Sequence, residues 1–70
     1  MLLSKAQRTF SARWAATLQH WPSPGIVEEA REIAKLARQQ GLSEPELRQA
    51  YEAARLVNPE APGAEQVLGA

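Results

Sequence analysis

Seventy residues with eight basic and eight acidic side chains, no net charge and no cysteine describe one small domain, without disulfides or thiolate metal sites to staple it. Thirteen of the 31 apolar residues are alanine, so 18 larger side chains are left for a core. A core that thin needs close packing, self-association or a partner to complete it.

The apolar opening Met1-Leu2-Leu3 meets Ser4 and Lys5 at once, too short a run for a signal peptide, and no stretch is long enough to span a membrane. The expectation is a cytoplasmic protein with no membrane role. Charge is unevenly placed. Residues 1 to 27 hold Lys5, Arg8 and Arg13 and no acid, while residues 28 to 70 hold all eight glutamates against five cations. This argues against general nucleic-acid affinity, which needs a concentrated positive face, and suits a two-signed surface that meets another protein.

A first helix is expected over about Leu3 to Gln19, where Leu3, Ala6, Phe10, Trp14, Leu18 and Trp21 recur at three or four residues in one stripe. Lys5, Arg8 and Arg13 fall largely off that stripe. Pro22-Ser23-Pro24-Gly25 ends the element, and Ser23-Pro24 has the chemistry of an N-cap and first helical position for the next. The second helix, about Pro24 to Gln40, carries Ile26, Ala30, Ile33 and Ala37 on one face, with Val27, Ala34 and Leu36 beside them. Its glutamates come early and its cations late, as the helix dipole favours.

Gly41-Leu42-Ser43-Glu44-Pro45-Glu46-Leu47 stops one helix and starts another. Glycine ends a helix in the left-handed conformation, Ser43 and Glu46 have capping-box spacing, and Leu42 and Leu47 have that of a hydrophobic staple. The third helix, about Glu44 to Val57, is expected to bury Leu47, Ala50, Tyr51, Ala54 and Val57, with Tyr51 half-buried and its hydroxyl at the edge. Alanines on helices two and three would let those helices approach closely, with the large side chains of helix one covering them. Asn58-Pro59 stops the third helix. The fold class is therefore an all-α three-helix bundle over residues 1–58, with residues 59–70 expected as a flexible tail because of Pro59, Pro62, Gly63 and Gly69.

The stretch from Leu36 to Leu47 has an alanine four residues before the turn glycine, an apolar residue just after it and a leucine six beyond. In this it resembles the helix-turn-helix of bacterial transcription regulators, over Ile33 to Tyr51. It departs from that family at Gln40, where an apolar residue is usual. The resemblance implies a second helix entering the DNA major groove, with Ser43, Glu44, Glu46, Arg48 and Gln49 at its leading edge. Two of those are glutamates, which phosphates repel, so Ser43, Arg48, Gln49 and Arg55 are the contact residues that this reading leaves.

No cofactor or metal is expected. His20 is the single histidine, no aspartate or cysteine could join it on zinc, and no glutamate is paired with an obvious nucleophile. His20 reads as a helix-end residue. Enzymatic activity is not expected. The leading functional expectation is a protein-interaction module: a regulator, adaptor, inhibitor or small subunit, with a homodimer as one possibility. Tryptophans concentrate at binding hot spots, so Phe10, Trp14 and Trp21 are interface candidates alongside Leu2 and Leu56, which lie off the apolar stripes. Trp14 also fits a core role, as does Trp21. A minimal helix-turn-helix DNA-binding regulator is the alternative.

Overall fold

Helix α1, Lys5–Leu18, opens on a capping box in which the Ser4 hydroxyl accepts from the Gln7 N–H and the Gln7 side chain accepts from the Ser4 N–H. The computed structural model describes residues 2–69. Phe10, Trp14 and Leu18 are buried as their spacing predicts, but the stripe continues toward the N-terminus through Gln7, and Ala6 is exposed. The Gln7 amide accounts for this: its Nε2 donates to the Glu46 carbonyl at 3.1 Å and to Gln49 Oε1 at 3.0 Å, so a polar side chain is buried with its partners made.

After α1 the chain turns through residues 19–25, with the Ser23 N–H donating to the His20 carbonyl. Helix α2, Ile26–Gln39, therefore starts later than the Ser23-Pro24 pair suggested: Gly25, at φ +84°, takes the N-cap position. It ends in a Schellman motif. The Leu42 N–H donates to the Ala37 carbonyl, the Gly41 N–H donates to the Arg38 carbonyl, and Gly41 sits at φ +94°. Helix α3, Glu44–Ala54, begins with the expected Ser43–Glu46 capping box, and the staple residues Leu42 and Leu47 are both buried.

The last turn of this helix tightens into a 3-10 helix, Arg55–Val57. That change of rotation per residue turns Val57 off the buried stripe, and it is exposed rather than core. The chain after it folds back. Ala61, Ala64 and Val67 are buried, and helix α4, Ala64–Leu68, lies against α2 and α3. Residues 61–68 are thus a docked segment where a flexible tail was expected. Tyr51 is fully buried beneath it, not half-buried, and its hydroxyl donates to the Pro62 carbonyl at 2.6 Å.

The three main helices run up, down and up. Gln7 joins the start of α1 to the start of α3. At the other end, Asn58 Nδ2 donates to the carbonyls of Leu18 and Trp21. Helix α1 packs on both α3 and α2, whereas α2 and α3 touch each other sparsely. The buried alanines Ala30, Ala34, Ala37, Ala50 and Ala54 thus do not bring α2 and α3 into the close approach that their spacing suggested. Trp14 fills the centre, its Nε1 donating to the Ala30 carbonyl at 3.0 Å.

Candidate functional site

A groove runs between α1 and the C-terminal half of α2. Helix α1 contributes Lys5, Ala6, Thr9, Phe10 and Arg13, which lie on one face because they recur at four-residue steps; α2 contributes Leu36 and Gln40. The antiparallel course of the two helices brings the end of α2 beside the start of α1 and creates the groove. Leu36 stands 43% exposed in it, one position off the buried Ile33–Ala37 stripe. Phe10 is buried, and the Arg13 guanidinium lies over its ring, 5.5 Å from the centroid. Ala6, Phe10 and Leu36 make its apolar part, Thr9 and Gln40 add uncharged polar groups, and among the described residues the only ionisable groups lining it are Lys5 and Arg13.

The electrostatics differ from one face to the next. Two cations of α2 and one of the 3-10 turn are paired: Arg38 with Glu44 at 2.8 Å, Lys35 with Glu32 at 3.3 Å and Arg55 with Glu52 at 2.9 Å, while Arg31 donates to the Gln66 carbonyl. Among the described residues neither Lys5 nor Arg13 has a carboxylate partner, and Arg8 donates to the Leu3 carbonyl instead. Helix α1 therefore presents uncompensated positive charge beside exposed apolar surface.

The interface candidates are scattered. Trp14 belongs to the core and Phe10 nearly so, while Trp21 is half-buried and packed against the core. Leu2 is 94% and Leu56 80% exposed, but Leu2 precedes α1 and Leu56 lies beyond α3, at the opposite end of α1. The fold does not gather these five residues into one surface. His20 is exposed just past α1, its backbone N–H donating to the Thr17 carbonyl.

The residues carried over from the helix-turn-helix resemblance are mostly engaged inside the fold. The Ser43 hydroxyl accepts from the Glu46 N–H as a cap, Gln49 accepts from Gln7, and Arg55 donates to Glu52 and to the Pro59 carbonyl. Arg55 Nε is buried with no partner among the described residues. The hydrogen bond from Arg38 holds the Glu44 carboxyl below its ordinary range, and the bonds to Ser43 do the same for Glu46, so both remain negative at the leading edge of α3. Leu68 and Gly69 flank that edge together with Glu44, Pro45 and Arg48. Arg48 is exposed and is the one of the four without a hydrogen-bonded partner among the described residues.

The groove is a tertiary feature, so residue spacing along the chain did not single it out. One signal was available: Lys5, Thr9 and Arg13 form an i, i+4, i+8 face with no acid on it. No helix is long and apolar enough to cross a membrane, and no group of three or more metal-ligating side chains occurs among the described residues. No protein-family model, curated protein or solved structure matches this chain.

Proposed function

We propose that the protein is a small non-enzymatic interaction module (a regulator, an adaptor or a small subunit) that docks a protein partner in the groove between α1 and α2. The observation that carries this reading is the coincidence of an exposed Leu36 with Lys5 and Arg13, two cations that have no carboxylate partner among the described residues. Interfaces combine an apolar centre with polar groups at the rim that select the partner, and the groove has both.

A photo-reactive side chain in place of Thr9, which lines the groove, tests this in intact cells of the host, with Glu60 on another part of the surface as the control position. A covalent adduct with a defined protein at Thr9 and none at Glu60 is expected. An adduct only at Glu60, or none at Thr9, would overturn the reading.

The helix-turn-helix alternative rests on the α2–Gly41–Ser43–α3 geometry and on the exposed Arg48. It calls for a duplex affinity that falls steeply with salt and that Arg48→Ala weakens. With Gln49 and Arg55 engaged elsewhere in the fold and two glutamates at the leading edge, no retained duplex is expected at low salt.

A further inference from the structure

Lys5 and Arg13 are eight residues apart on one face of α1, about 12 Å along its axis at 1.5 Å per residue. Between and opposite them lie Ala6, Thr9, Phe10, Leu36 and Gln40, with no carboxylate in the lining among the described residues. A surface of that form is complementary to an apolar side chain flanked on both sides by negative charge. A helix supplies such a pattern when carboxylates seven or eight residues apart bracket a leucine or similar residue near the midpoint.

We propose that the groove docks an acidic amphipathic segment of a partner protein, its apolar side chain against Leu36 and its carboxylates on Lys5 and Arg13. The proposal rests on the interaction reading above and adds the chemistry of the partner. A second copy of this chain fits the groove less well. The exposed face at the start of α2, Glu28, Glu29 and Glu32, carries no exposed large apolar residue, and Leu56 flanks Glu52, which Arg55 already holds. The exposed Arg13 guanidinium lies over the Phe10 ring with no carboxylate partner among the described residues, so its outward donors are left for a carboxylate of the partner.

The test uses the full chain, labelled with nitrogen-15, and two synthetic helical peptides. One carries leucine at every third or fourth position with glutamate between; its twin has lysine for every glutamate. The acidic peptide should shift the amides of residues 5–13 and 36–40 saturably, and its affinity should fall with salt and drop about ten-fold or more in Leu36→Glu. The double variant Lys5→Glu/Arg13→Glu, altered only at exposed positions, should lose the acidic peptide and gain the lysine twin, with the shifts still confined to residues 5–13 and 36–40 of a chain whose other amides keep their folded dispersion.

Equal binding of the two peptides, shifts confined to other surfaces, or an unchanged affinity in the charge-reversed variant would overturn the proposal. So would perturbation of these amides by phosphatidylglycerol vesicles but not by the acidic peptide, which would make the groove a membrane contact. A Thr9 adduct with a partner, together with no binding of the acidic peptide, would remove the acidic chemistry and leave the interaction reading standing. Absence of both would remove both.

Discussion

The indole of Trp14 meets the ring of Tyr51 edge to face, centroids 5.3 Å apart and planes at 88°. Each ring also spends its polar atom on a backbone carbonyl: Trp14 Nε1 donates to Ala30 on α2, and the Tyr51 hydroxyl donates to Pro62 in the segment leading to α4. Two side chains thus join the three main helices and the segment leading to α4 through one contact and two hydrogen bonds. In a core so rich in alanine, these two rings supply much of the large apolar surface.

Tyr51→Phe keeps the ring contact but leaves the buried Pro62 carbonyl without its donor, a loss of about 1–3 kcal/mol in urea-induced unfolding. The same hydroxyl gives a pH signature. Burial raises its pKa from 10.0 to about 12, so the folded chain holds the phenol neutral where the unfolded chain ionises it. Its stabilisation is complete below pH 10 and is lost as the pH rises from 10 toward 12, by an amount on the order of 2–3 kcal/mol. Because the chain has one tyrosine, phenolate absorbance reports this group alone. It should rise above pH 10 only in step with loss of helical circular dichroism or with a midpoint well above 10. A midpoint of 10 with intact helices would contradict the burial.

Ending the chain at Asn58 should destroy the cooperative thermal transition. The truncation removes Ala61, Ala64 and Val67 from the core, uncovers Tyr51, and deletes the Gln66 and Leu68 carbonyls that accept from Arg31 and Arg38. Val67→Ala is the milder form and should cost about 1–2 kcal/mol. If the truncated chain melts like the full one, the docked C-terminal segment contributes nothing.

Gly41→Ala separates backbone from packing. A Cβ at Gly41 meets nothing within 4 Å, yet the residue sits at φ +94°. The substitution should therefore destabilise by about 1–2 kcal/mol through backbone conformation alone. An unchanged denaturation midpoint would mean that the turn relaxes without cost.

The turn between α2 and α3 was legible in the sequence because every interaction that defines it spans five residues or fewer. The apolar stripes of the main helices were legible for the same reason. What could not be read depends on distant partners. Gln7 meets Glu46 and Gln49 across 39 and 42 positions, so only the fold decides that it, and not Ala6, lies inward. The C-terminal segment was obscured by its prolines and glycines, although Ala61, Ala64 and Val67 recur every three residues, a short helical stripe. The groove shows both cases. The acid-free face of Lys5, Thr9 and Arg13 is visible in the chain, but its meeting with Leu36 follows from how α2 returns along α1.

Leu36 and Leu56 are both exposed leucines, one in the groove and one at the end of the molecule beyond α3. Calorimetric titration of the protein crosslinked at Thr9 into the parent chain, Leu36→Glu and Leu56→Glu compares the two surfaces directly. Leu36→Glu should weaken binding at least about ten-fold, roughly 1.4 kcal/mol, while Leu56→Glu binds as the parent does. Full affinity in Leu36→Glu, with the loss falling on Leu56→Glu, would place the interaction elsewhere and contradict the account.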